Sequence, residues 1–384
     1  MSTGLLAQLT RYQSQVLAFV QHDGADNYHH QFHPDLSPSG WHLGHCVFTE
    51  NYWIREVIEG QTLDDGLRAL YVPEFAHKPG RGTRLPDFSE LVAWAREQQR
   101  DNMRRLARLL NNPAKHPLLR AGYLGNFLVQ HYAQHHETLC QVRAQRQLQT
   151  AAGLRIRQPL AASAPVSMPT ASLPAGYYAV GQKRRHRPYD NEYPLHQTAV
   201  AGCRITRAPA SNADYLAFMQ DGGYRDRHYW SDAGWAWLHD TGVEHPCYWC
   251  RNETGHWYGI GPDGPFRLKH DAAVSGLSYH EAQAFAAWAG GRLPHEHEWE
   301  AAARQGLLSG RGQVWEWCDN TFFPYDGFMA YPYDGYSLPY FDGAHFVLKG
   351  GSRHTCWIIK RPSFRNYYEA DKRHIFAGVR PAFD

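Results

Sequence analysis

Apolar residues recur at helical spacing through the first 148 residues. A capping-box pattern, Asp87 to Glu90, predicts that a helix begins after Asp87. The apolar positions behind it are Leu91, Trp94, Ala95, Met103, Leu106 and Leu110. Residues 38–57 and 122–148 have similar amphipathic patterns, and the first twenty residues supply a fourth helix. Four helices in this segment predict an antiparallel bundle over residues 1–148.

The pattern changes in the second half of the chain. Residues 149–176 are rich in Ala, Ser and Pro and lack periodicity, which predicts a linker. From there to the end, short apolar runs are broken by Gly, Pro, Asn and Asp, which predicts an irregular α+β domain over residues 177–384. Two helices stand out in it, one capped by Ser278 and running through Trp288, and one from His295 to Arg304.

Composition narrows the class of protein. The chain has 384 residues, which fits two domains, and 43% hydrophobic with 20% charged residues predicts a folded globule. The 39 basic and 37 acidic side chains give no electrostatic reason to expect nucleic acid or an anionic membrane as a partner. The chain lacks a signal-peptide pattern and a long apolar run, and its seven cysteines are scattered. We therefore expect a cytoplasmic protein with reduced thiols.

Histidines form the sharpest chemical pattern. His131 and His135 are four residues apart, so on a helix they share one face and can bind one metal ion. A second predicted helix offers His42 and His45, and facing helices of a bundle can point such side chains at a common centre. Three neutral imidazoles leave coordination positions open, which suits catalysis, but they do not separate iron from zinc or nickel. The alternative is a surface helix with incidental histidines.

Two histidine motifs resemble those of a known family. Trp41 to His45, followed by Glu50 and Trp53, and then His131-x-x-Gln134-His135-x-Glu137, is similar to the DinB-like domain of the ergothioneine-biosynthesis sulfoxide synthases. These are non-haem iron enzymes that use O2.

The resemblance implies roles for the motif residues. It places the Fe(II) ligands at His45, His131 and His135, and leaves His42 as a residue that is often not a ligand in the family. Gln134 corresponds to a residue that lines the pocket for the methylated histidine substrate. Glu137 corresponds to one that orients a ligand through a hydrogen bond.

The C-terminal half resembles the formylglycine-generating-enzyme-like fold, which is related to C-type lectins. The similarity is carried by the order of short stretches: residues 189–194, 222–224, 274–281, 291–300, 314–317, 350–352, 361–366 and 377–380. The expected fold class is therefore α plus α+β, a DinB-like four-helix bundle followed by this lectin-like domain.

The same resemblance implies substrate-binding and catalytic residues in the second domain. Asn366, Tyr367 and Tyr368 match the stretch that holds the amino-acid end of the methylated histidine. Tyr336 precedes a Ser-x-Pro-aromatic-Phe run and matches a tyrosine that donates a proton and an electron during the reaction. Tyr333 is the second candidate for this role.

A basic loop is expected to bind the carboxylates of the sulfur donor. It contains Lys78, Arg81 and Arg84, and the planar guanidinium of arginine matches a carboxylate. A solvated loop without this role is the alternative. Two departures leave the donor open: Tyr367 and Tyr368 replace a common Trp-Asp pair, and the run from Arg304 to Gly312 is short compared with typical relatives, which reshapes one wall of the expected cleft.

The expected activity is formation of a carbon–sulfur bond between imidazole C2 of hercynine (trimethylhistidine) and cysteine or gamma-glutamylcysteine, with O2 as co-substrate. A selenoneine-type synthase that takes a selenosugar is the first alternative. A non-catalytic lectin-like binding protein and a zinc-dependent thiol transferase are the others. The sequence leaves the oligomeric state open.

Overall fold

Helices make up the first unit of the protein. The computed structural model describes residues 2–150, 153–164, 168–184 and 188–384, and the chain divides into the units Met1–Gln149 and Thr150–Asp384. The helices of the first unit are α1 (Ser2–Asn27), α2 (Ser39–Asn51), α3 (Asp65–Tyr71), α4 (Phe88–Leu110) and α5 (Tyr123–Thr150). A π-helical segment, Tyr52–Ile58, continues α2.

The predicted bundle is formed by α1, α2, α4 and α5. Helix α4 packs against α1 and α2, and the edge of Trp53 meets Phe127 of α5 at 5.8 Å between ring centroids. Leu91, Ala95 and Leu106 of α4 are fully buried, as their spacing predicts. Burial of this stripe stabilises the helix far more than its intrinsic propensity does.

Strands and short helices make up the second unit. Its helices are α6 (Asn212–Gln220), α7 (Asp232–Thr241), α8 (Tyr279–Trp288) and α9 (Glu296–Arg304). Its strands are β1 (Thr170–Leu173), β2 (Gly176–Val180), β3 (His196–Val200), β4 (Cys203–Thr206), β5 (Trp249–Arg251), β6 (Trp257–Gly261), β7 (Gly264–Phe266), β8 (Trp315–Thr321), β9 (His345–Lys349), β10 (Asn366–Glu369), β11 (Ala377–Gly378) and β12 (Ala382–Phe383).

The sheets are small and mostly antiparallel. Their strand orders are β10-β9-β8-β11, β1-β4-β12, β2-β3 and β5-β6-β7, and the β8–β11 pair is parallel. In the first sheet Tyr367 lies opposite Val347, and Trp317 lies opposite Leu348. The mixture of short strands and helices agrees with the predicted α+β class.

Two buried ion pairs join elements of the second unit, and one of them involves α9. Arg365 contacts Glu296 at 2.7 Å, Arg380 contacts Glu316 at 2.6 Å, and all four side chains are fully buried. Burial alone would raise the pKa of Glu296, but Arg365 and Lys349 hold it at about 2. Since Arg365 immediately precedes β10, its pairing with α9 also fixes where that strand begins.

The structure differs from the sequence prediction in the linker. Thr170–Leu173, within the predicted linker 149–176, form strand β1 and pair with β4, and Leu173 is buried. Residues 151–152 and 165–167 of this linker lie outside the described residues. Helices α6 and α7 were also not predicted, because each is short and lacks a clear apolar period. None of the helices among the described residues combines the length and apolar character needed to cross a membrane.

The predicted helix cap at Ser278 is present and forms a capping box. The Ser278 hydroxyl accepts a hydrogen bond from the Glu281 amide at 3.1 Å, and the Glu281 carboxylate accepts one from the Ser278 amide at 2.8 Å. Helix α4 also begins after Asp87, as predicted, but the Asp87 side chain makes no capping hydrogen bond. The capping-box prediction is therefore wrong at Asp87.

Removal of the two cap side chains should have unequal effects. Ser278→Ala is expected to lower the free energy of unfolding by about 1 kcal/mol, because a buried amide at the start of α8 loses its acceptor. The control Asp87→Ala should change it by less than about 0.5 kcal/mol. Urea unfolding of both variants checks this. Equal losses would contradict it.

Candidate metal centre and surrounding residues

Helices α2 and α5 bring imidazoles together inside the first unit. The ring nitrogens of His45, His131 and His135 provide one atom each within 4.8 Å of one another. The Nε2 atoms of His45 and His131 are 3.2 Å apart. Nitrogens that bind one ion at 2.0–2.1 Å lie about 3 Å apart, so this spacing fits a shared metal ion. The predicted trio therefore converges, and its nitrogen donors suit iron, zinc, copper or nickel.

The orientation of His45 is fixed by its neighbours. Its Nδ1 lies 2.7 Å from the carbonyl oxygen of Tyr71, to which it can only donate, so Nε2 carries the lone pair that faces the other imidazoles. The indole of Trp41 stacks on the ring at 4.8 Å with an interplanar angle of 10°. These contacts hold the imidazole in the orientation that a ligand requires.

Tyr71 and Gly44 are residues that sequence reasoning missed. A Cβ atom on Gly44 would lie 2.0 Å from the ring of Tyr71, so only glycine lets α3 approach α2 this closely. That approach places the Tyr71 carbonyl beside His45. The glycine is visible in the motif Trp41 to His45, but the partner that requires it lies 27 residues further along the chain.

His42 contacts a candidate ligand. Its Nδ1 lies 2.9 Å from Nδ1 of His135. When His135 donates in this hydrogen bond, its Nε2 keeps the lone pair that a metal needs. The ring of His42 is buried, and its Nε2 has no hydrogen-bond partner among the described residues. The expectation that His42 is not a metal ligand stays a prediction.

Burial keeps the imidazoles neutral. Loss of solvent lowers the pKa of His45 to about 4 and that of His42 to about 3, and it also lowers the pKa of His131 and His135. Neighbouring imidazoles and Arg81 add to the effect at His135. Only neutral imidazole binds a metal, so the four rings are in the required state at neutral pH.

The metal-free protein should lose stability below neutral pH. The unfolded chain binds protons on these histidines below their ordinary pKa of 6.5, whereas His45 in the folded state stays neutral down to about 4. The stabilising difference is therefore present above pH 6.5 and is lost as the pH falls towards 4. From His45 alone we expect a loss of about 2 kcal/mol between pH 7 and pH 5. Denaturant unfolding of chelator-treated protein measures it, and equal stability at both pH values would contradict it.

Hydrogen bonds of the Glu50 side chain connect three helices of the bundle, α1, α2 and α4. Its carboxylate accepts hydrogen bonds from Nε2 of Gln13 at 2.6 Å and from Nδ2 of Asn102 at 3.0 Å. Burial raises the pKa of Glu50 to about 7. Glu50 is five residues after His45 on α2, so these bonds from α1 and α4 set the position of the helix that carries a candidate ligand.

The remaining predicted residues of α5 flank the trio. Gln134, next to His135 in the chain, is half-buried, and Glu137 is buried. Their positions on α5 leave the expected roles, in substrate binding and in ligand orientation, as predictions.

The three residues of the basic loop have different environments. Arg81 is buried, its guanidinium lies 3.7 Å above the Trp41 ring, and its nitrogens donate to the carbonyls of Ala76 and Pro73 and to the hydroxyl of Ser37. Arg81 thus supports the indole that stacks on His45. Its expected role in binding a carboxylate stays a prediction.

Lys78 and Arg84 differ from Arg81 because both side chains are exposed. Arg84 donates to the carbonyl of Ala69 at 3.0 Å. These two residues remain the candidates for binding a carboxylate.

Tyr336 lies in a loop that makes stacking and hydrogen-bond contacts within the second unit. Its ring stacks on the buried Tyr189 at 4.2 Å with an angle of 14°. The next residue, Ser337, donates to the Asp190 carboxylate at 2.5 Å, and Tyr367 donates to the carbonyl of Tyr336 at 2.7 Å. Tyr333 is 40% exposed, so Tyr336 has the more restricted position of the two candidate tyrosines.

Strand β10 separates the three predicted substrate-binding residues. Tyr367 stacks on Phe322 at 4.2 Å, whereas the edge of Tyr368 faces His374 at 5.9 Å. Successive side chains of a strand point to opposite faces, so Asn366 and Tyr368 share one face and Tyr367 lies on the other. The three side chains therefore do not line one surface. Tyr367 supports the Tyr336 loop.

Comparisons with known proteins cover nearly the whole chain. A DinB superfamily model matches residues 8–139, and the model of the sulfatase-modifying factor enzyme 1-like domain matches residues 158–311. The chain is 31% identical over 450 aligned positions to hercynine oxygenase of Mycolicibacterium thermoresistibile, with 99% of this chain and 94% of that protein covered. Hercynine oxygenases of Mycolicibacterium smegmatis and Mycobacterium tuberculosis are 30% and 31% identical, with 99% of this chain and 98% of each relative covered.

These matches confirm the resemblance and the fold class inferred from the sequence. They favour an enzyme over a non-catalytic lectin-like protein, because they extend through both units at full length. The chain belongs to the hercynine oxygenase family and is an oxidoreductase enzyme of that family.

Proposed function

We propose that this protein is an O2-dependent non-haem iron sulfoxide synthase, which joins imidazole C2 of hercynine to the sulfur of a thiol such as cysteine or gamma-glutamylcysteine. The observation that carries the proposal is the convergence of His45, His131 and His135, whose nitrogens lie within 4.8 Å of one another. The full-length relatives named hercynine oxygenase support the choice of hercynine and O2 as substrates.

The proposed reaction balances without a further reductant. The C2–H bond of the imidazole and the S–H bond of the thiol break, and a C–S bond forms. One oxygen atom of O2 enters the sulfoxide, and the other leaves as water with the two hydrogens. The four electrons that reduce O2 come from the two substrates, and Fe(II) held by the histidine trio would activate O2 for reaction with them.

The chain's own residues would bind the substrates and move a proton. We assign the imidazole pocket to Gln134 and the amino-acid end of hercynine to Asn366. The hydroxyl of Tyr336 would hold the proton that is donated to oxygen during the reaction, a role that suits a phenol with a fixed ring. Lys78 and Arg84 would bind the donor carboxylate.

The identity of the donor is the open part of the proposal. The ring of Tyr367 stacks on Phe322, and its hydroxyl donates a hydrogen bond to the Tyr336 carbonyl. Tyr367 is therefore unsuited to bind a charged donor. Tyr368 and Asn366 share the other face of β10. Tyr368 stands where one class of the family commonly has an aspartate, which leaves the donor open and keeps a selenosugar among the donors to be tested.

Turnover with defined donors tests the proposed function. The protein is loaded with Fe(II) without oxygen, mixed with hercynine, and then given O2 and one donor at a time: cysteine, gamma-glutamylcysteine or a selenosugar. Mass spectrometry identifies the product, and an oxygen electrode measures O2 use. The Zn(II)-loaded protein is the control, because zinc has no redox chemistry. We expect a hercynine adduct with one thiol and O2 use only with iron. Absence of an adduct with every donor would contradict the proposal.

A further inference from the structure

A cavity of about 320 Å³ lies within the second unit, beside the β6–β7 hairpin. Its volume is in the range of small-molecule sites. Its lining does not include Tyr336, Asn366 or the two tyrosines that follow Asn366. The function proposed above therefore leaves this cavity without a role.

The floor of the cavity is formed by buried aromatic and apolar side chains. Tyr248, Trp249, Ile260 and Phe376 line it, and each is less than 7% exposed in the folded chain. The hydroxyl of Tyr248 donates to the carbonyl of His374, so the residue offers mainly its ring to the cavity. Floors of this kind bind the apolar or aromatic body of a ligand.

Basic side chains surround the opening of the cavity. Arg267, Lys269 and Arg353 line it, and all three are exposed. Arg353 contacts the Gln313 amide oxygen at 3.5 Å, and none of the three forms an ion pair within the described ranges of the chain. Asp263 is the acidic residue of the lining. The opening therefore carries an excess of positive charge, which attracts an anion.

Another part of the cavity lining lies next to the short run from Arg304 to Gly312. Gln313 and Val314 line the cavity and directly follow the connection 305–312 between α9 and β8. The alignment with the Mycolicibacterium thermoresistibile relative spans 450 positions, more than the 384 residues of this chain, so that relative has segments that are missing here. Gln313 and Val314 thus place the end of this short connection at the cavity.

We propose that this cavity binds a small organic anion, with a carboxylate or phosphate group at Arg267, Lys269 and Arg353 and an apolar or aromatic body against Trp249 and Phe376. The cations exclude a cationic ligand by repulsion. The buried aromatic floor distinguishes the site from a surface patch that attracts inorganic ions alone.

Binding of three naphthyl compounds to the full-length protein tests the proposal. The probes are 1-naphthylacetate, 1-naphthyl phosphate and the neutral 1-naphthylacetamide, which share one ring system, and inorganic phosphate is the anion without a body. Calorimetry at low salt gives the Kd of each. We expect the carboxylate, the phosphate ester or both to bind at least tenfold more tightly than the amide, and the better of the two identifies the anionic group.

Paired charge variants locate the site. Arg267→Gln with Arg353→Gln should weaken binding of the anionic probe by about tenfold, because two charge contacts are lost. Arg11→Gln with Lys115→Gln removes two exposed cations from the first unit and should change the Kd by less than about twofold. Equal binding of amide and anion, equal effects of the two pairs, or absence of binding below 1 mM (roughly the weak limit of specific sites) would each overturn the proposal.

Discussion

Replacement of His131 by alanine is expected to abolish iron binding and to lower product formation by more than about 10³-fold. His131 supplies one of the three nitrogens, and its Nε2 lies 3.2 Å from that of His45. Without it two imidazoles remain, which hold a divalent ion far more weakly, and the helices keep their packing because the lost ring faces the other imidazoles. Metal content after anaerobic loading with Fe(II) and the rate of hercynine adduct formation are the two measurements.

His136→Ala is the matched control for this variant. His136 is the residue after His135 on α5, but its ring meets the edge of Phe19 at 6.2 Å and does not join the trio. We expect full iron content and at least half of the activity. If His131→Ala retained one equivalent of iron and normal turnover, the trio would not be the metal centre.

Replacement of Tyr336 by phenylalanine is expected to lower the rate of adduct formation by about 10²- to 10⁴-fold while iron content stays unchanged. The variant keeps the stacking on Tyr189 and the hydrogen bond from Tyr367, which is made to the backbone of residue 336. It removes the hydroxyl that would donate the proton, together with the hydrogen bond between that hydroxyl and Tyr189. A loss of rate without a loss of iron or of stability therefore isolates the chemical step.

Tyr333→Phe separates the two candidate tyrosines. Tyr333 is 40% exposed, and its variant should retain nearly full activity. The opposite result, a silent Tyr336→Phe and an inactive Tyr333→Phe, would transfer the catalytic role to Tyr333. If both variants were fully active, a tyrosine of this loop would not take part in the reaction.

The sequence predicted elements whose signals are local. His131 and His135 meet because a helix places residues four apart on one face, and α4 begins after Asp87 because a polar residue precedes an amphipathic run. Their third partner, His45, could be selected over His42 only through the family resemblance. Both histidines lie on α2, and the helical spacing of residues in the sequence does not show which of the two reaches the ion.

Contacts between distant segments could not be predicted. Arg81 belongs to a loop whose basic residues suggest ligand binding. Its side chain is nevertheless buried, because the carbonyls of residues 73 and 76 and the ring of Trp41 surround it. Asp87 and Ser278 have the same capping pattern, yet only Ser278 makes the bond, since a side-chain rotamer is chosen by the whole environment. Strand β1 could not be predicted for the same reason, because it forms by pairing with β4, which is distant in the sequence.

Anomalous diffraction at the iron edge, from crystals loaded anaerobically with Fe(II), shows whether the three histidines bind the metal. We expect one strong peak between α2 and α5, with the ring nitrogens of His45, His131 and His135 each about 2.1 Å away and other coordination positions free of protein atoms. A peak at another place, or the absence of a peak from the trio in crystals that contain iron, would contradict it.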